Sequence, residues 1–340
     1  MKKAIIGVLL FLVLIFGISV ATYFIVISLT SRNTEPVVLV IQSGQGVADI
    51  AKQLKEKKLI NSTTLFKVYL FINGKSNTIQ PGEYKFNQVN ISKIANVITV
   101  IPEKKPEITV TVLEGWNSQE VADYLQQQGL IMSSDFEKII ASTDTRTFLP
   151  DKKFDFLSDK PLNVGLEGYI FPDTYRFFTD STAAEIVDKM LDNFDRQLNP
   201  QLREDIRLKG MTIYETITLA SIVEKEAKTS EDKKVVAGIF LNRLKIGQKL
   251  ESDATVNFVT GKNTTRPSYV DIGTDSLYNT YIYSGMPVGP ICAPGLEAIE
   301  AVIYPTNSDY LFFLNTPGGD VVYSKTYEEH LANKNKYYPE

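Results

Sequence analysis

Two carboxylates follow one apolar stretch of this chain, and carboxylates in apolar surroundings are the groups from which proteins make acid and base catalysts. Glu224 and Glu226 come directly after the run Leu219 to Val223. Burial disfavours the charged form of a carboxyl group, so it raises the pKa and keeps a proton available near neutral pH. The segment therefore predicts a general acid.

A helix must position these two glutamates. Thr212 and Glu215 have the spacing of a capping box, which predicts that the helix begins just after Thr212. At about 100° per residue, Glu224 and Glu226 lie about 200° apart and cannot both serve one small reaction centre. Glu226 shares its face with apolar residues such as Ile222, so we predict Glu226 as the catalyst and Glu224 as its structural partner. The alternative is that both glutamates lie on a solvated helix surface.

Composition limits the remaining chemistry. His330 is the only histidine and Cys292 the only cysteine among 340 residues. A Ser-His-Asp triad, a multi-histidine zinc site and an intrachain disulfide therefore lack their parts. The net charge is −4 and the pI is near 5.4, which argues against a nucleic-acid partner. We expect no metal ion and no cofactor.

The amino-terminal segment predicts a membrane anchor. Ala4 to Leu29 contains 26 residues and no charge, and as a helix it would span about 39 Å, enough to cross a bilayer. Lys2 and Lys3 precede the span and only Arg32 follows it closely. The positive-inside rule then predicts a single-pass protein of the cell (inner) membrane, with a cytoplasmic amino terminus and the remainder on the outer face. The alternative is a cleaved signal peptide, whose apolar core is usually shorter, about 7 to 15 residues.

An internal repeat with an offset of 71 residues follows the anchor. Residues 39–44 match residues 110–115, and both segments end in glycine. Each copy predicts a strand, a glycine turn, an amphipathic helix and a second short apolar segment. Such small βα units behind an anchor resemble the LysM-like glycan-binding modules of cell-wall proteins. The alternative is that they only space the catalytic domain from the membrane.

These observations predict an α+β chain with four parts. Residues 1–30 are the cytoplasmic tip and the transmembrane helix, and residues 31–105 form a LysM-like subdomain. Residues 106–195 hold the second repeat and a connecting segment. Residues 196–340 form a mixed α+β catalytic domain.

Polar and aromatic residues after the glutamates have the mixture that carbohydrate sites use, in which rings pack on C–H faces and polar groups bind hydroxyls. We predict an extended segment in which Asp253 and Thr255 project on one side; alternatively, Asp253 caps a helix that starts at Ala254. The candidate substrate-binding residues are Asn242, Arg243, Asp253, Thr255, Tyr278, Asn279 and Tyr281.

The order of these segments carries a resemblance to a known family. It comprises the anchor, the repeat, Leu166-Glu167-Gly168-Tyr169, the segment 220–226, the segment 252–256, Tyr278-Asn279-Thr280-Tyr281 and Pro294-Gly295. The chain resembles the YceG-like endolytic murein transglycosylases. The resemblance implies a membrane-anchored lyase that cuts the MurNAc–GlcNAc β-1,4 bond inside peptidoglycan strands and leaves 1,6-anhydroMurNAc ends. It further implies termination of nascent strands, with cell-wall synthases as candidate partners.

The resemblance places the catalytic glutamate in the Glu-Lys-Glu segment. Other lytic transglycosylases carry a glutamate followed by a small residue, which favours Glu226 over Glu224. Two alternatives remain at this stage: a non-catalytic peptidoglycan-binding scaffold, and a hydrolase in which Asp253 activates water opposite Glu226.

Overall fold

The computed structural model describes residues 36–100, 105–264 and 266–339, together with residues 11, 14, 15 and 17. The predicted anchor, residues 4–29, thus lies almost entirely outside the described residues. Within the described part of the chain, no helix is both long enough and apolar enough to cross a membrane. The chain divides into two compact units, residues 1–105 and 106–340.

Within residues 36–100, the first unit is built on a two-stranded antiparallel sheet and three helices. Strand β1 (Val37–Ile41) pairs with β2 (Gly82–Phe86), and Leu39 lies opposite Tyr84. The helices are α1 (Val47–Glu56), α2 (Thr63–Ile72) and α3 (Ile91–Thr99). Apolar side chains from each element form a separate core, which includes Leu39, Ile50, Leu54, Phe66, Leu70 and Ile94.

The second unit contains the second repeat, a helical region and a carboxy-terminal hairpin with one helix. Its elements are β3 (Glu107–Thr111), α4 (Ser118–Gln127), α5 (Ser133–Ile140), two short 3₁₀ helices (Thr145–Thr147 and Asp155–Leu157), β4 (Thr174–Phe178), α6 (Ala183–Gln197), α7 (Pro200–Leu208), α8 (Ile213–Glu226), α9 (Ser230–Lys245), α10 (Asp253–Thr260), α11 (Tyr269–Ile272), α12 (Leu296–Ile303), β5 (Phe312–Asn315), β6 (Val321–Ser324) and α13 (Tyr327–Tyr337). Strand β3 pairs antiparallel with β4, and β5 with β6. The predicted mixed α+β fold is confirmed.

The 71-residue repeat has a structural counterpart. Gly44 and Gly115 follow β1 and β3 with φ angles of +80° and +77°, a region that L-residues rarely adopt. Gly129, two residues after α4, has φ +70°, and Lys58 occupies the equivalent position of the first copy with φ +56°. The predicted second apolar segment, Leu59-Ile60 in the first copy and Leu130-Ile131 in the second, is not helical but leads into a further helix, α2 and α5 respectively. Each copy therefore starts with a strand, a left-handed turn and two helices.

Helix α8 lies in the middle of the second unit. Its eight residues from Thr216 to Val223 are all buried, including the polar Thr216, Thr218 and Ser221. It packs against α9, α12 and α10. The capping box predicted at its start is present, with Thr212 and Glu215 bonded reciprocally. Surrounded in this way, α8 holds the residues at its carboxyl end in a fixed position.

Candidate active site

Glu226 is the last residue of α8, and its carboxyl group meets the start of α10. Oε1 accepts a hydrogen bond from the Ser252 hydroxyl at 2.5 Å, and the carboxyl group also accepts one from the Ala254 backbone N–H. Ala254 is the second residue of α10, whose first N–H groups have no partner within the helix. The Ser252 side chain makes no capping bond of its own. Glu226 therefore caps α10 from another helix.

The surroundings of Glu226 favour a proton on it. The pKa of Glu226 is raised to about 6; burial is the largest cause, and the nearby Asp253 charge acts in the same direction. The hydrogen bonds from Ser252 and Ala254, and the Arg243 charge, lower the pKa. A carboxyl group with a pKa near 6 can hold its proton and release it close to neutral pH.

Glu224 has a different environment, although it is only two residues away. Its carboxylate lies 2.9 Å and 3.1 Å from the Lys233 ammonium and accepts the Gly295 backbone N–H at 3.0 Å. The two side chains are only 8% and 3% exposed. Glu224 thus joins α8 to α9 and to the start of α12. The role of Lys233 was not predicted from the sequence. A signal was present, because Lys233 shares a helix face with the apolar Val236, three residues further on.

Three of the predicted binding residues lie in the same cleft as Glu226: Arg243, Asp253 and Tyr281. The Tyr281 hydroxyl donates to Asp253 Oδ1 at 2.7 Å. Arg243 donates to the backbone carbonyls of Leu311 and Leu250 at 2.6 Å and 2.8 Å. Asp253 and Tyr281 therefore form a polar pair beside the carboxyl group of Glu226, and Arg243 is fixed by the backbone.

The predicted extended segment around Asp253 is wrong. Residues Asp253–Thr260 form α10 with Ser252 in the N-cap position, so Asp253 is the first helical residue and not the cap. Thr255 consequently points away from Asp253, since residues two apart on a helix lie about 200° apart. Its hydroxyl is fully buried and bonds the Ser252 carbonyl at 2.7 Å and the Thr280 hydroxyl at 3.0 Å.

The other predicted binding residues do not line the cleft. Asn242 donates to the carbonyls of Ser308 and Tyr310, which ties α9 to the segment before β5. Asn279 is buried and donates to two carbonyls of the preceding turn. Tyr278 packs on the Phe258 ring at 4.9 Å. Because their polar groups or rings already have internal partners, their evident role is to support the cleft walls.

The cleft around Glu226 is long and open. Its volume is about 2090 Å³, larger than the 300–1,000 Å³ typical of sites for small molecules. Its walls come from the ends of α4 and α8, from α10, from the β5–β6 hairpin and from α13. No cluster of histidine, cysteine and carboxylate side chains among the described residues is arranged to hold a metal ion.

Sequence comparison identifies the family. The YceG-like family matches residues 39–336 of this chain. The chain belongs to the YceG-like family. An endolytic murein transglycosylase of Bacillus subtilis (strain 168) is 32% identical over 305 residues, which cover 87% of this chain and 83% of that protein. One of Streptococcus pneumoniae serotype 2 is 29% identical over 86% of this chain, but the matched region spans only 57% of that longer protein.

A solved structure supports the same relationship for this YceG-like chain. The crystal structure of a yceG-like protein from Listeria monocytogenes superimposes with a TM-score of 0.59 at 30% identity. The superposition covers 88% of this chain and 98% of the other. The family named by the sequence resemblance is therefore confirmed.

Two hydrogen-bonded pairs in the YceG-like site were not predicted from the sequence, Ser252–Glu226 and Ser118–Glu167. Ser252 belongs to one of the sequence motifs, and its hydroxyl donates directly to Glu226. Glu167 lines the same cleft and accepts hydrogen bonds from the backbone N–H of Ser118, at 3.1 Å, and from its hydroxyl, at 2.5 Å. Burial raises the pKa of Glu167. Both pairs join segments more than 25 residues apart, so local spacing gave no signal for them.

Proposed function

We propose that this protein is an endolytic murein transglycosylase, which cleaves the MurNAc–GlcNAc β-1,4 bond and leaves 1,6-anhydroMurNAc ends. The observation that carries the proposal is Glu226, a carboxyl group with a pKa raised to about 6 that opens on a cleft of about 2090 Å³. A cleft of this size accommodates an internal stretch of a polymer. The names of the B. subtilis and S. pneumoniae relatives agree with this activity.

One carboxyl group is sufficient for the reaction. Protonated Glu226 donates its proton to the glycosidic oxygen, and the bond between that oxygen and the anomeric carbon breaks. The C6 hydroxyl of the same MurNAc residue then attacks the anomeric carbon and closes the 1,6-anhydro ring. Its proton passes to the Glu226 carboxylate, which restores the acid. No water is consumed.

The contacts of Glu226 suit both halves of this cycle. Burial holds the proton on the resting acid. After donation, the Ser252 hydroxyl and the Ala254 N–H stabilise the carboxylate, since hydrogen bonds to a charged group are stronger than neutral ones. Glu224 cannot take this role, because Lys233 and Gly295 already hold its carboxylate. We therefore assign the acid and base to Glu226.

A second candidate activity rests on Asp253. This carboxylate lines the cleft and is bonded to Tyr281, so it could activate a water molecule opposite Glu226. Hydrolysis by two carboxylates would leave reducing ends. The masses of the products distinguish the two reactions, because an anhydro end lacks one water molecule.

The deciding experiment incubates the full-length protein in detergent with uncrosslinked glycan strands and weighs the products by mass spectrometry. We expect internal cuts with anhydro ends, and their loss in Glu226→Gln with an unchanged circular dichroism spectrum. Glu231→Gln, an exposed isosteric change on α9, is the matched control. Undiminished cleavage by Glu226→Gln would show that Glu226 is not the general acid. Absence of any products from the unchanged protein would favour the interpretation as a non-catalytic scaffold.

The location of the enzyme is part of the proposal. The charge-free segment Ala4 to Leu29 and its flanking lysines support a single-pass inner-membrane anchor with the catalytic unit on the outer face. In that position the enzyme would meet nascent strands beside cell-wall synthases. Protease treatment of intact spheroplasts tests the orientation: the catalytic unit should be degraded from outside, whereas full protection would place it in the cytoplasm.

A further inference from the structure

Three aromatic rings form a group at the carboxy-terminal end of the cleft. Phe312 of β5 lies 5.4 Å from the His330 ring and 5.9 Å from the Tyr327 ring, measured between centroids. Tyr327 and His330 are both on α13, with centroids 6.4 Å apart and planes within 29°. All three line the same cleft as Glu226. We call these residues the aromatic platform.

Core packing does not account for the platform. Helix α13 has no buried residue, and Tyr327 is 56% exposed. None of the three rings belongs to the hydrophobic core of the second unit. Because burial of apolar surface is what normally holds large rings in place, the exposed ring of Tyr327 beside the half-buried Phe312 and His330 requires another explanation.

The platform carries little charge. Burial, together with the Arg243 and Lys334 charges, lowers the pKa of His330, so its imidazole is neutral at pH 7. His330 Nδ1 is buried and has no hydrogen-bond partner in the described part of the chain. The platform therefore lines the cleft with aromatic side chains of little charge.

Arg243 connects the platform to the catalytic glutamate. Its guanidinium carbon lies 5.0 Å from the centroid of the Phe312 ring. The same charge lowers the pKa of both Glu226 and His330, so Arg243 lies near both residues. The platform and Glu226 therefore both lie near Arg243 and line the same cleft, so one extended strand in that cleft can contact both.

We propose that the aromatic platform is a sugar-stacking subsite. It binds one sugar ring of the glycan strand, at a position distant from the bond that is cut. Pyranose rings present apolar C–H faces that pack on aromatic faces, while their hydroxyls remain in water. This proposal rests on the transglycosylase function proposed above. It implies that long strands use a contact that short fragments bound only at Glu226 do not make.

The test measures affinity without cleavage. In a Glu226→Gln protein, we would titrate end-labelled, uncrosslinked glycan strands and follow fluorescence anisotropy. Tyr327→Ala should raise the Kd of long strands about two- to thirteenfold, the equivalent of about 0.5–1.5 kcal/mol for a lost ring contact. Tyr327→Phe should retain the affinity, and Tyr327→Leu should lose it while keeping an apolar side chain. The matched control is Tyr269→Ala, which removes a ring that is 96% exposed and outside the cleft.

The outcomes separate the subsite from the enzyme activity. Equal Kd values for Tyr327→Ala, Tyr327→Leu and the parent protein would overturn the subsite, whatever the unchanged enzyme does to the strands. Failure of the unchanged enzyme to produce anhydro ends would overturn the transglycosylase function, and a selective loss of binding in Tyr327→Ala and Tyr327→Leu would still establish a glycan contact. A rise in Kd in Tyr269→Ala as large as that in Tyr327→Ala would likewise overturn the subsite.

Discussion

At the residue scale, the chemistry of Glu226 depends on a balance between burial and hydrogen bonding. Burial and the Asp253 charge favour the protonated form, while Ser252, Ala254 and Arg243 favour the carboxylate. Without the second group of contacts, the pKa of Glu226 would be higher, and the carboxylate that remains after proton donation would lack its hydrogen bonds. Each contact therefore shifts the pH range in which the proposed acid would function.

We predict that activity falls as the pH rises through about 6, because only protonated Glu226 can donate. Ser252→Ala removes a hydrogen bond that lowers the pKa of Glu226, so the alkaline limb of the profile should move to higher pH. The measurement is kcat/KM for release of anhydro ends between pH 4 and 8. Ser230→Ala, outside the cleft, serves as control, and a limb that stays in place or moves to lower pH in Ser252→Ala would contradict the assignment.

The sequence predicted Glu226 and missed its partner for a physical reason. An apolar run followed by a carboxylate is a local pattern, visible within one helix. Ser252 lies 26 residues further along, and its contact exists only after α8 and α10 have packed. Polar pairs formed by tertiary packing leave no periodic signal, which also explains why Lys233 and Ser118 were overlooked.

At the element scale, the Glu224–Lys233 pair fixes the end of α8. The pair joins α8 to α9, and the bond from Gly295 adds the start of α12. Because Glu226 follows Glu224 by only two residues, about half a helical turn, movement of this joint would displace the proposed acid. A buried ion pair contributes little net stability, but removal of one partner leaves an uncompensated charge.

We predict that Lys233→Met lowers the free energy of unfolding by about 3–5 kcal/mol, the cost typical of a broken buried pair. The double variant Lys233→Met with Glu224→Gln should recover part of this loss, because no buried charge remains unpaired. Urea unfolding followed by circular dichroism measures both. Lys234→Met, a neighbouring exposed lysine, should be close to neutral; an equal effect of Lys233→Met and Lys234→Met would refute the role of the pair.

A second prediction at this scale concerns Gly168, where φ is +85° and an added Cβ would lie 2.4 Å from Pro290 Cβ. Gly168→Ala should destabilise the protein through both backbone strain and this collision. Gly210→Ala is the matched control, because Gly210 has φ +72° with nothing within 4 Å. Gly210→Ala should lower the free energy of unfolding by about 1–2 kcal/mol, from the left-handed backbone alone. Thermal melting compares them; an equal or smaller loss in Gly168→Ala would show that the Pro290 contact relaxes without cost.

Helix boundaries were predicted where capping and periodicity agree. The capping box Thr212–Glu215 marks the start of α8 as predicted, and a second capping box, Asn117–Glu120, marks the start of α4. The start of α10 was predicted as extended, because Asp253 and Thr255 have the interval of two that places side chains on one side of a strand. So short a pattern does not distinguish a strand from a short helix. What decides that start is the carboxyl group of Glu226, which caps α10 from a distant part of the chain.

At the scale of the whole molecule, the two units have separate hydrophobic cores. Every described residue that lines the cleft belongs to the second unit, residues 106–340. The second repeat shares the core of this unit with helices α8 and α9, whereas the first repeat has a core of its own. This difference separates the two copies in a way that their sequence similarity did not indicate.

We predict that replacing residues 36–105 by a flexible linker of equal reach reduces binding to insoluble murein but leaves cleavage of soluble strands within about twofold, because an independent domain can be removed without disturbing another. Pelleting with purified murein measures the first effect, and mass spectrometry of the products the second. Unchanged pelleting would assign the first unit a spacer role in place of glycan binding. Loss of cleavage on soluble strands would show that the cleft requires the first unit, since the linker keeps the distance from the proposed anchor constant.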